Sequence, residues 1–320
     1  MSKVKLTIIA LFSLATIALG WSYYSGEGNQ AASTLGSDID QAPHTGGLGS
    51  DSARIDSQIT LKIPEGQGDA VYQYLKNKYA GQPIDMRDQF PGVNLYGQAM
   101  SDVSVFTDKY FDTPNLDLYK GKNSARHRSR INTTHPDDRK SGRELVQMKV
   151  TPPGRFDLRN ELKYDVKHSD KYTTADDQHP LIRLIKGEQR SDFKDVFTSA
   201  GIDPYILRHV FTITQTRSRV YVNWDNKSML SFSVDQGSAG IWWGEGRFTS
   251  VDVGLVENTY TEADEVKRKT MWEIRDAMIK DLVEHFPGLT VNSDSKYSIV
   301  LNQLINQMAF IPTLMKLGII

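Results

Sequence analysis

Between residues 110 and 163 the chain places positive side chains at every second position of a strand-like segment. Residues 126–130 have the sequence Arg-His-Arg-Ser-Arg. Side chains two apart on a β-strand point to the same face, so Arg126, Arg128 and Arg130 form a row with a spacing of about 7 Å. A guanidinium donates two parallel hydrogen bonds to a phosphate group and never loses its charge. The pattern predicts either a concave sheet face that holds a polyanion or an ordinary solvated strand.

A block with the sequence Tyr-Phe-Asp-Thr-Pro, residues 110–114, precedes this strand. Together the block and the Arg-x-Arg strand resemble the central signature of the CYTH, or triphosphate tunnel, superfamily. Further segments follow in the order typical of that superfamily, and the resemblance covers roughly residues 57 to 257. They are Gln147-Met148-Lys149, Arg159-Asn160-Glu161, Arg217-Ser218-Arg219, Ser233-Val234-Asp235 and residues 248–257.

The alternation in these segments predicts strands, and the resemblance implies how they are arranged. It implies an α+β fold with an antiparallel, roughly eight-stranded β-barrel or tunnel, a polar interior, flanking helices and a C-terminal helical region. Closure of the sheet into a tunnel is implied by the resemblance alone, because the alternation of side chains along a strand does not show whether a sheet closes.

The resemblance also implies two sets of site residues, one for phosphate groups and one for a divalent metal, Mg²⁺ or Mn²⁺. The implied phosphate-binding residues are Lys62, Arg126, Arg128, Arg130, Lys149, Arg159, Arg217 and Arg219. The implied metal ligands are Glu161, Asp235, Asp252 and Glu257, and the implied catalytic residues are Glu161 and Lys62.

The chain departs from the superfamily pattern at the metal site. The opening strand of such proteins has the motif Glu-x-Glu-x-Lys, whereas here Gln58 and Thr60 precede Lys62. On the closing strand the usual Glu-x-Glu is replaced by Asp252 and Gly254. Mg²⁺ and Mn²⁺ need hard oxygen ligands, so this loss weakens metal-assisted attack by water and leaves the cations in place. The sequence therefore favours binding that outlasts hydrolysis.

Two functions stay open from the sequence. The first is an anion-binding protein that holds a triphosphate, a polyphosphate or a similar ligand. The second is a metal-dependent triphosphatase or polyphosphate hydrolase, or a polyphosphate polymerase of the vacuolar-transporter-chaperone (VTC) type. Residues 295–298, Ser-Lys-Tyr-Ser, resemble a stretch of that polymerase branch, although a capping serine and a surface lysine explain them equally well.

Charge composition limits where an anion is able to bind. The 320 residues contain 38 Lys and Arg against 39 Asp and Glu, a formal net charge of −1. A chain of this balance has no global positive field for nucleic acid, so we expect no nucleic-acid partner and a strictly local anion site. No cysteine is present, which excludes disulfides.

The N-terminus has the layout of an export signal. Lys3 and Lys5 precede an apolar run over residues 6–21, which predicts a signal peptide or signal anchor at residues 1–24. Residues 25–53, rich in Gly, Ser and Ala, predict a flexible linker. Residues 54–320 are then a single tunnel domain. We expect export to the periplasm, the cell envelope or the medium, and an uncleaved signal would attach the protein to the membrane through residues 6–21.

Overall fold

The computed structural model describes residues 54–55, 58–101, 103–132, 142–150, 160–168, 172–241, 244–307, 313 and 316–317. The predicted signal segment and linker, residues 1–53, lie outside these ranges. Within them, no helix is both long enough and apolar enough to cross a membrane.

Twelve β-strands in the described residues belong to one sheet. They are β1 (Arg54–Ile55), β2 (Ile59–Lys62), β3 (Pro83–Ile84), β4 (Leu95–Ala99), β5 (Ser104–Asp112), β6 (Ser124–Asn132), β7 (Glu144–Val150), β8 (Asn160–Asp165), β9 (Arg208–Trp224), β10 (Lys227–Ile241), β11 (Gly244–Leu255) and β12 (Thr290–Val291).

The strands pair antiparallel in the order β1-β8-β7-β6-β5-β9-β10-β11-β2-β12, with β4 on the side of β9 and β3 on β4. The predicted α+β class with an antiparallel sheet is thus confirmed, with twelve strands instead of about eight. Among the described residues the sheet does not close on itself. The strands β1 and β2, which follow one another in the chain, lie near its opposite ends, on β8 and β11.

Seven α-helices accompany the sheet in the described residues. They are α1 (Gly68–Tyr79), α2 (Asp117–Lys120), α3 (Ala175–Gln178), α4 (Arg190–Ser199), α5 (Glu257–Glu262), α6 (Glu265–His285) and α7 (Lys296–Gln307). Short 3₁₀ turns occur at Ile182–Leu184, Gly187–Gln189 and Pro204–Ile206.

Helices α1 and α6 cover one face of the sheet. Along β9, Val220 and Val222 point to this face and are fully buried against apolar residues of both helices, among them Leu75 and Ile274. The intervening residues of β9 must then point to the other face, because side chains alternate along a strand. The alternation therefore leaves Arg217 and the other odd-numbered residues of this stretch on the opposite, inner face.

The inner face changes from apolar to polar along the central strands. Toward the start of β9, Phe211 joins a buried cluster with residues of α7. Tyr297 of α7 stacks there on Tyr110, with ring centroids 5.1 Å apart, and on Phe211 at 5.5 Å. Further along β9 the inner face carries charged side chains. Helix α7 thus fills one part of the concave face and leaves the charged part as a cavity.

Candidate functional site

The charged part of the inner face encloses a cavity of about 590 Å³, a volume within the range of small-molecule sites. The strands β2, β5 to β11 and the helices α5 and α7 all contribute to its wall. Its cationic lining residues are Arg126, Arg128, Arg130, Arg143, Lys149, Lys163, Arg217, Arg219 and Lys296.

The alternation seen in the sequence explains why these cations converge. On β6 the three even-numbered arginines of residues 126–130 all line the cavity. Arg126 lies opposite Gln147 of β7, and Gln147 lies opposite Lys163 of β8, so neighbouring strands bring lining residues into register. Residues 217, 219 and 221 of β9 line it in the same way.

Asp108 of β5 holds two of these arginines. Its carboxylate is fully buried and accepts hydrogen bonds from Nε and Nη2 of Arg128, both at 2.6 Å, and from Nη1 of Arg126 at 3.1 Å. Burial acts to raise the pKa of Asp108, but the two guanidinium groups outweigh it and bring that pKa below its ordinary value. Asp108 therefore remains ionised and orients both arginines.

A second network continues from Arg126 across β7 to β8. The side-chain oxygen of Gln147 accepts hydrogen bonds from Nε and Nη2 of Arg126, at 3.0 and 2.7 Å. Gln147 Nε2 donates to Oε1 of Glu161 at 3.0 Å, and Lys163 Nζ lies 2.8 Å from Oε2 of Glu161. Burial acts to raise the pKa of Glu161, yet Lys149 and Lys163 bring it well below its ordinary value. Glu161 is thus a paired, weakly basic carboxylate.

Two aspartates and two cations form a compact quartet on the opposite wall. Arg217 Nε and Nη2 donate to the two oxygens of Asp235, each at 2.5 Å, and Nη2 also contacts Asp252 Oδ2 at 3.2 Å. Lys296 Nζ, at the first residue of α7, contacts Oδ2 of Asp235 and lies 3.0 Å from Oδ2 of Asp252. We refer to Arg217, Asp235, Asp252 and Lys296 as the quartet.

Arg130 and Arg219 have a different environment from the paired cations. Arg130 donates to Oγ of Ser104 at 2.8 Å, and its buried Nε has no hydrogen-bond partner. Arg219 donates to the hydroxyls of Ser233 at 3.0 Å and Tyr221 at 3.3 Å. Burial, followed by the charge of Arg217, lowers the pKa of Arg219. Among the described residues, neither arginine forms an ion pair, so both are suited to accept an anionic ligand.

An aromatic ring lies among three of the cations. The guanidinium carbons of Arg128, Arg217 and Arg130 lie 4.4, 5.6 and 5.7 Å from the ring centroid of Phe106. The negative face of a ring attracts cations, so Phe106 offsets part of the repulsion between them. A buried phenylalanine is thus part of the electrostatics of the cavity.

The cavity carries a positive excess although the chain does not. Nine Lys and Arg side chains line it, within the described residues, against four carboxylates: Glu161, Asp252, Glu257 and Asp294. Asp108 and Asp235 lie directly behind the arginines and bring the carboxylates to six. Within the described part of the chain, the Lys and Arg side chains at the cavity therefore outnumber the carboxylates by nine to six, in a chain with a formal net charge of −1.

The structure brings most of the sequence-predicted site residues together. Two of the predicted residues do not line the cavity: Lys62 is exposed at the end of β2, and Asp235 is fully buried behind Arg217. Arg159 lies outside the described residues. The predicted residues that do line the cavity are Arg126, Arg128, Arg130, Lys149, Glu161, Arg217, Arg219, Asp252 and Glu257.

Other functional residues were missed from the sequence. For Lys296 the sequence pattern fits a surface lysine and a polymerase-like motif equally well. The structure places this residue in the cavity wall. Phe106 and Asp108 precede the signature block at alternate positions. The period of a strand therefore places them on the same face as Tyr110, and this is the one sign of them in the sequence. Asp108 lies directly opposite Arg128 on the neighbouring strand, and a linear pattern does not show this pairing of strands.

The predicted metal ligands do not assemble into a cation site. Among the described residues, no group of three or more Asp, Glu or His side chains is placed to hold a metal ion. Glu161 is paired with Lys163, whereas Asp235 and Asp252 belong to the quartet on the other wall. A hard divalent cation needs several free oxygen ligands, so the donor set as arranged does not fit Mg²⁺ or Mn²⁺.

The fold and cavity define an α+β protein with an open antiparallel sheet whose concave face holds a cationic pocket. No protein-family model and no curated protein matches the chain. Membership of the CYTH superfamily therefore stays a prediction from the motifs.

Several solved structures resemble the chain loosely. A putative adenylate cyclase from Bacillus halodurans has a TM-score of 0.43 at 12% identity, covering 77% of this chain and 96% of that one. A putative adenylyl cyclase, HpAC1 from Hippeastrum, described with a dominant triphosphatase activity, has a TM-score of 0.42 at 12% identity over 78% and 95%. An RNA triphosphatase from S. pombe has a TM-score of 0.33 at 10% identity over 72% and 75%. These TM-scores are too low to argue function, so the interpretation of the cavity rests on its own side chains.

Proposed function

We propose that the chain binds a phosphate-chain anion, a triphosphate or a polyphosphate, in this cavity. The observation that carries the proposal is the positive excess of the lining residues together with the two arginines, Arg130 and Arg219, that form no ion pair among the described residues. A linear polyanion is the ligand class that matches cations distributed over several strands of one concave wall. The CYTH-like signature at residues 110–130 independently predicts the same ligand class.

Preorganisation supports tight binding. Asp108 fixes Arg126 and Arg128 before a ligand arrives, so the ligand does not have to order these side chains. Hydrogen bonds between charged groups contribute about 1.5–3 kcal/mol each, and an anion at Arg130 and Arg219 gains them without breaking an ion pair among the residues that the structure describes. We expect the ligand to contact these two arginines first.

Binding is favoured over hydrolysis for a chemical reason. A general base is most effective when its pKa lies near the working pH. The pKa of Glu161, the predicted catalytic carboxylate, is well below its ordinary value, because the lysines beside it outweigh the effect of burial. Glu161 in this arrangement takes up a proton poorly, which supports a binding role for the cavity.

Calorimetric titration with ortho-, pyro-, tri- and long-chain polyphosphate tests the proposal. We expect affinity to rise with chain length and to fall with added salt, because exposed charges are screened. Arg130→Gln and Arg219→Gln should each weaken tripolyphosphate binding by about tenfold, the loss of one charge-assisted contact. Arg87→Gln, at an exposed arginine outside the cavity, is the matched control and should bind as the parent does. Unchanged binding in both cavity variants would refute the proposal.

Phosphate release from tripolyphosphate, measured in the same samples, separates binding from catalysis. Turnover by the parent that is abolished in Glu161→Gln would make the hydrolase the better description. The position of Lys296 in the cavity wall supports the inclusion of long-chain polyphosphate in these assays, since its stretch resembles the VTC-type polymerase branch.

We also propose that residues 6–21 direct export of the protein. Two features support this proposal: the positive residues Lys3 and Lys5, and the apolar run that follows them. Fractionation of cells that express the full chain, compared with a variant lacking residues 2–24, tests this. Equal recovery of both proteins in the cytoplasmic fraction would contradict export.

A further inference from the structure

The quartet has the charge balance of a carboxylate pair with a divalent cation between its members. Asp235 and Asp252 carry two negative charges, and Arg217 and Lys296 carry two positive ones. Both cations contact the same two oxygens, Oδ2 of Asp235 and Oδ2 of Asp252. The space in which the two carboxylates would share a metal ion is thus taken by an ammonium group and one arm of a guanidinium.

The remaining carboxylate oxygens are also engaged. Oδ1 of Asp235 accepts from Arg217 Nε at 2.5 Å, and Oδ1 of Asp252 accepts from the hydroxyl of Thr60 at 2.9 Å. Thr60 stands where the superfamily pattern has a glutamate, so a position expected to supply a carboxylate supplies a hydrogen-bond donor. All four oxygens of the pair therefore accept hydrogen bonds from protein donors.

Lys296 is held in this place by its surroundings. Its side chain is 13% exposed, and its ammonium lies 5.5 Å from the ring centroid of Phe248. It begins α7, whose next residue, Tyr297, is fully buried between Tyr110 and Phe211. An ammonium has three donors, of which the two aspartates take two, and Lys296 also lines the cavity. In the described ranges no third acceptor contacts this ammonium, so one donor remains for a ligand.

We propose that Lys296, with Arg217, is a built-in substitute for the divalent cation, so that the cavity binds its phosphate chain without Mg²⁺ or Mn²⁺. This inference rests on the proposed function and adds the mode of charge compensation. The ammonium neutralises the aspartates, whose negative charge would otherwise repel phosphate, and presents a positive group to the ligand. Removal of that ammonium should convert Asp235 and Asp252 into a divalent cation site.

The first test measures metal binding without phosphate. The electron paramagnetic resonance signal of free Mn²⁺ falls when the ion binds to protein. We expect no loss of signal with the parent protein, a loss with Lys296→Met, and no loss with Lys296→Met/Asp252→Asn. Arg130→Met is the control, since it removes another cavity-lining cation, unpairs no carboxylate among the described residues and leaves the quartet intact. Mn²⁺ binding by the parent that Asp252→Asn abolishes would overturn the inference.

The second test measures tripolyphosphate binding in excess EDTA and in Mn²⁺. We expect the parent and Lys296→Arg to bind in EDTA. Lys296→Met should bind about tenfold more weakly, because it lacks one charged contact with the ligand. In Mn²⁺ the ratio of the two dissociation constants, of Lys296→Met and of the parent, should return toward one. Chelation of the ion by tripolyphosphate affects both proteins equally and cancels in this ratio. Lys296→Arg keeps the charge and should bind as the parent does, and recovery of Lys296→Met in Mn²⁺ would show that its defect does not reflect misfolding.

The outcomes separate the two proposals. A parent protein that binds tripolyphosphate only when a divalent cation is present keeps the proposed function and overturns this inference. A parent that binds no phosphate chain in either buffer refutes the proposed function, and the Mn²⁺ signal then still decides whether Lys296 blocks a metal site.

Discussion

The hydroxyl of Tyr297 donates a hydrogen bond of 2.7 Å to the buried carboxylate of Asp112. Asp112 belongs to the signature block and also accepts from the backbone N–H groups of Thr113, Leu118 and Tyr119, at 2.7 to 3.0 Å. One carboxylate therefore fixes the turn that leads into β6 and ties it to the C-terminal helix α7. The neighbour of Tyr297 in the chain is Lys296, so this bond also positions the ammonium of the quartet.

Tyr297→Phe should destabilise the fold by about 1–3 kcal/mol, because it removes one donor from a buried acceptor. The change is read as a lower urea midpoint with an unchanged slope. Tyr172→Phe removes a hydroxyl from an exposed ring and is the control. Equal midpoints for the two variants would show that the bond to Asp112 contributes nothing.

Asp108→Asn should cost about 3–5 kcal/mol of unfolding free energy, since it leaves two buried arginines without their carboxylate. It should also weaken tripolyphosphate binding, because Arg126 and Arg128 lose the group that orients them. Denaturant unfolding and calorimetry measure the two effects. Asp85→Asn, which breaks an exposed pair with Arg87, should leave both unchanged.

Acid should destabilise the protein through three carboxylates that are paired with cations at the cavity. The pKa values of Asp108, Glu161 and Asp235 lie below their ordinary values, because neighbouring cations outweigh burial. Their contribution to stability is complete above the unfolded pKa of about 4 and is lost as the pH falls from there toward the lower folded values, because only the unfolded chain binds the protons. Urea unfolding at a series of pH values measures this slope, which should be shallower in Asp108→Asn. Equal slopes would contradict the assignment.

Phe106→Leu should weaken tripolyphosphate binding by about two- to fivefold without the loss of any charge. A cation that faces an aromatic ring gains about 0.5–1 kcal/mol even at an exposed site, and three guanidinium groups surround this ring. Calorimetry measures the change, and Phe90→Leu on the helix-covered face is the control. An affinity equal to that of the parent would show that the ring only fills space.

Gly97→Ala should be strongly destabilising. A Cβ atom at this position in β4 would lie 1.9 Å from the backbone oxygen of Tyr79, so the end of α1 would have to move away from the sheet. Gly240→Ala is the control, because a Cβ there meets nothing within 4 Å. The thermal midpoints of the two variants should differ widely, and similar midpoints would mean that α1 moves at little cost.

The sequence by itself determined which side chains share a face within the strands that it predicted. The alternation of Arg126, Arg128 and Arg130 reports directly which side chains share a face, because the period of two is a local property of an extended chain. For the same reason the cationic character of one sheet face was predictable, whereas the class of the fold was implied by the resemblance of the motifs. The recurrence of Val71, Tyr72, Leu75 and Tyr79 at helical spacing also predicts a helix over residues 69–79, and the structure has α1 there.

Only the tertiary structure decided which charges meet. Lys296 lies 61 residues from Asp235 and 44 from Asp252, and Asp108 lies 20 residues from Arg128 along the chain. Which carboxylate faces which cation depends on strand order, register and the docking of α7, and none of these is encoded in a local pattern. Asp235 and Asp252 looked like metal ligands in the sequence because a linear motif shows the carboxylates and not the ammonium that lies between them.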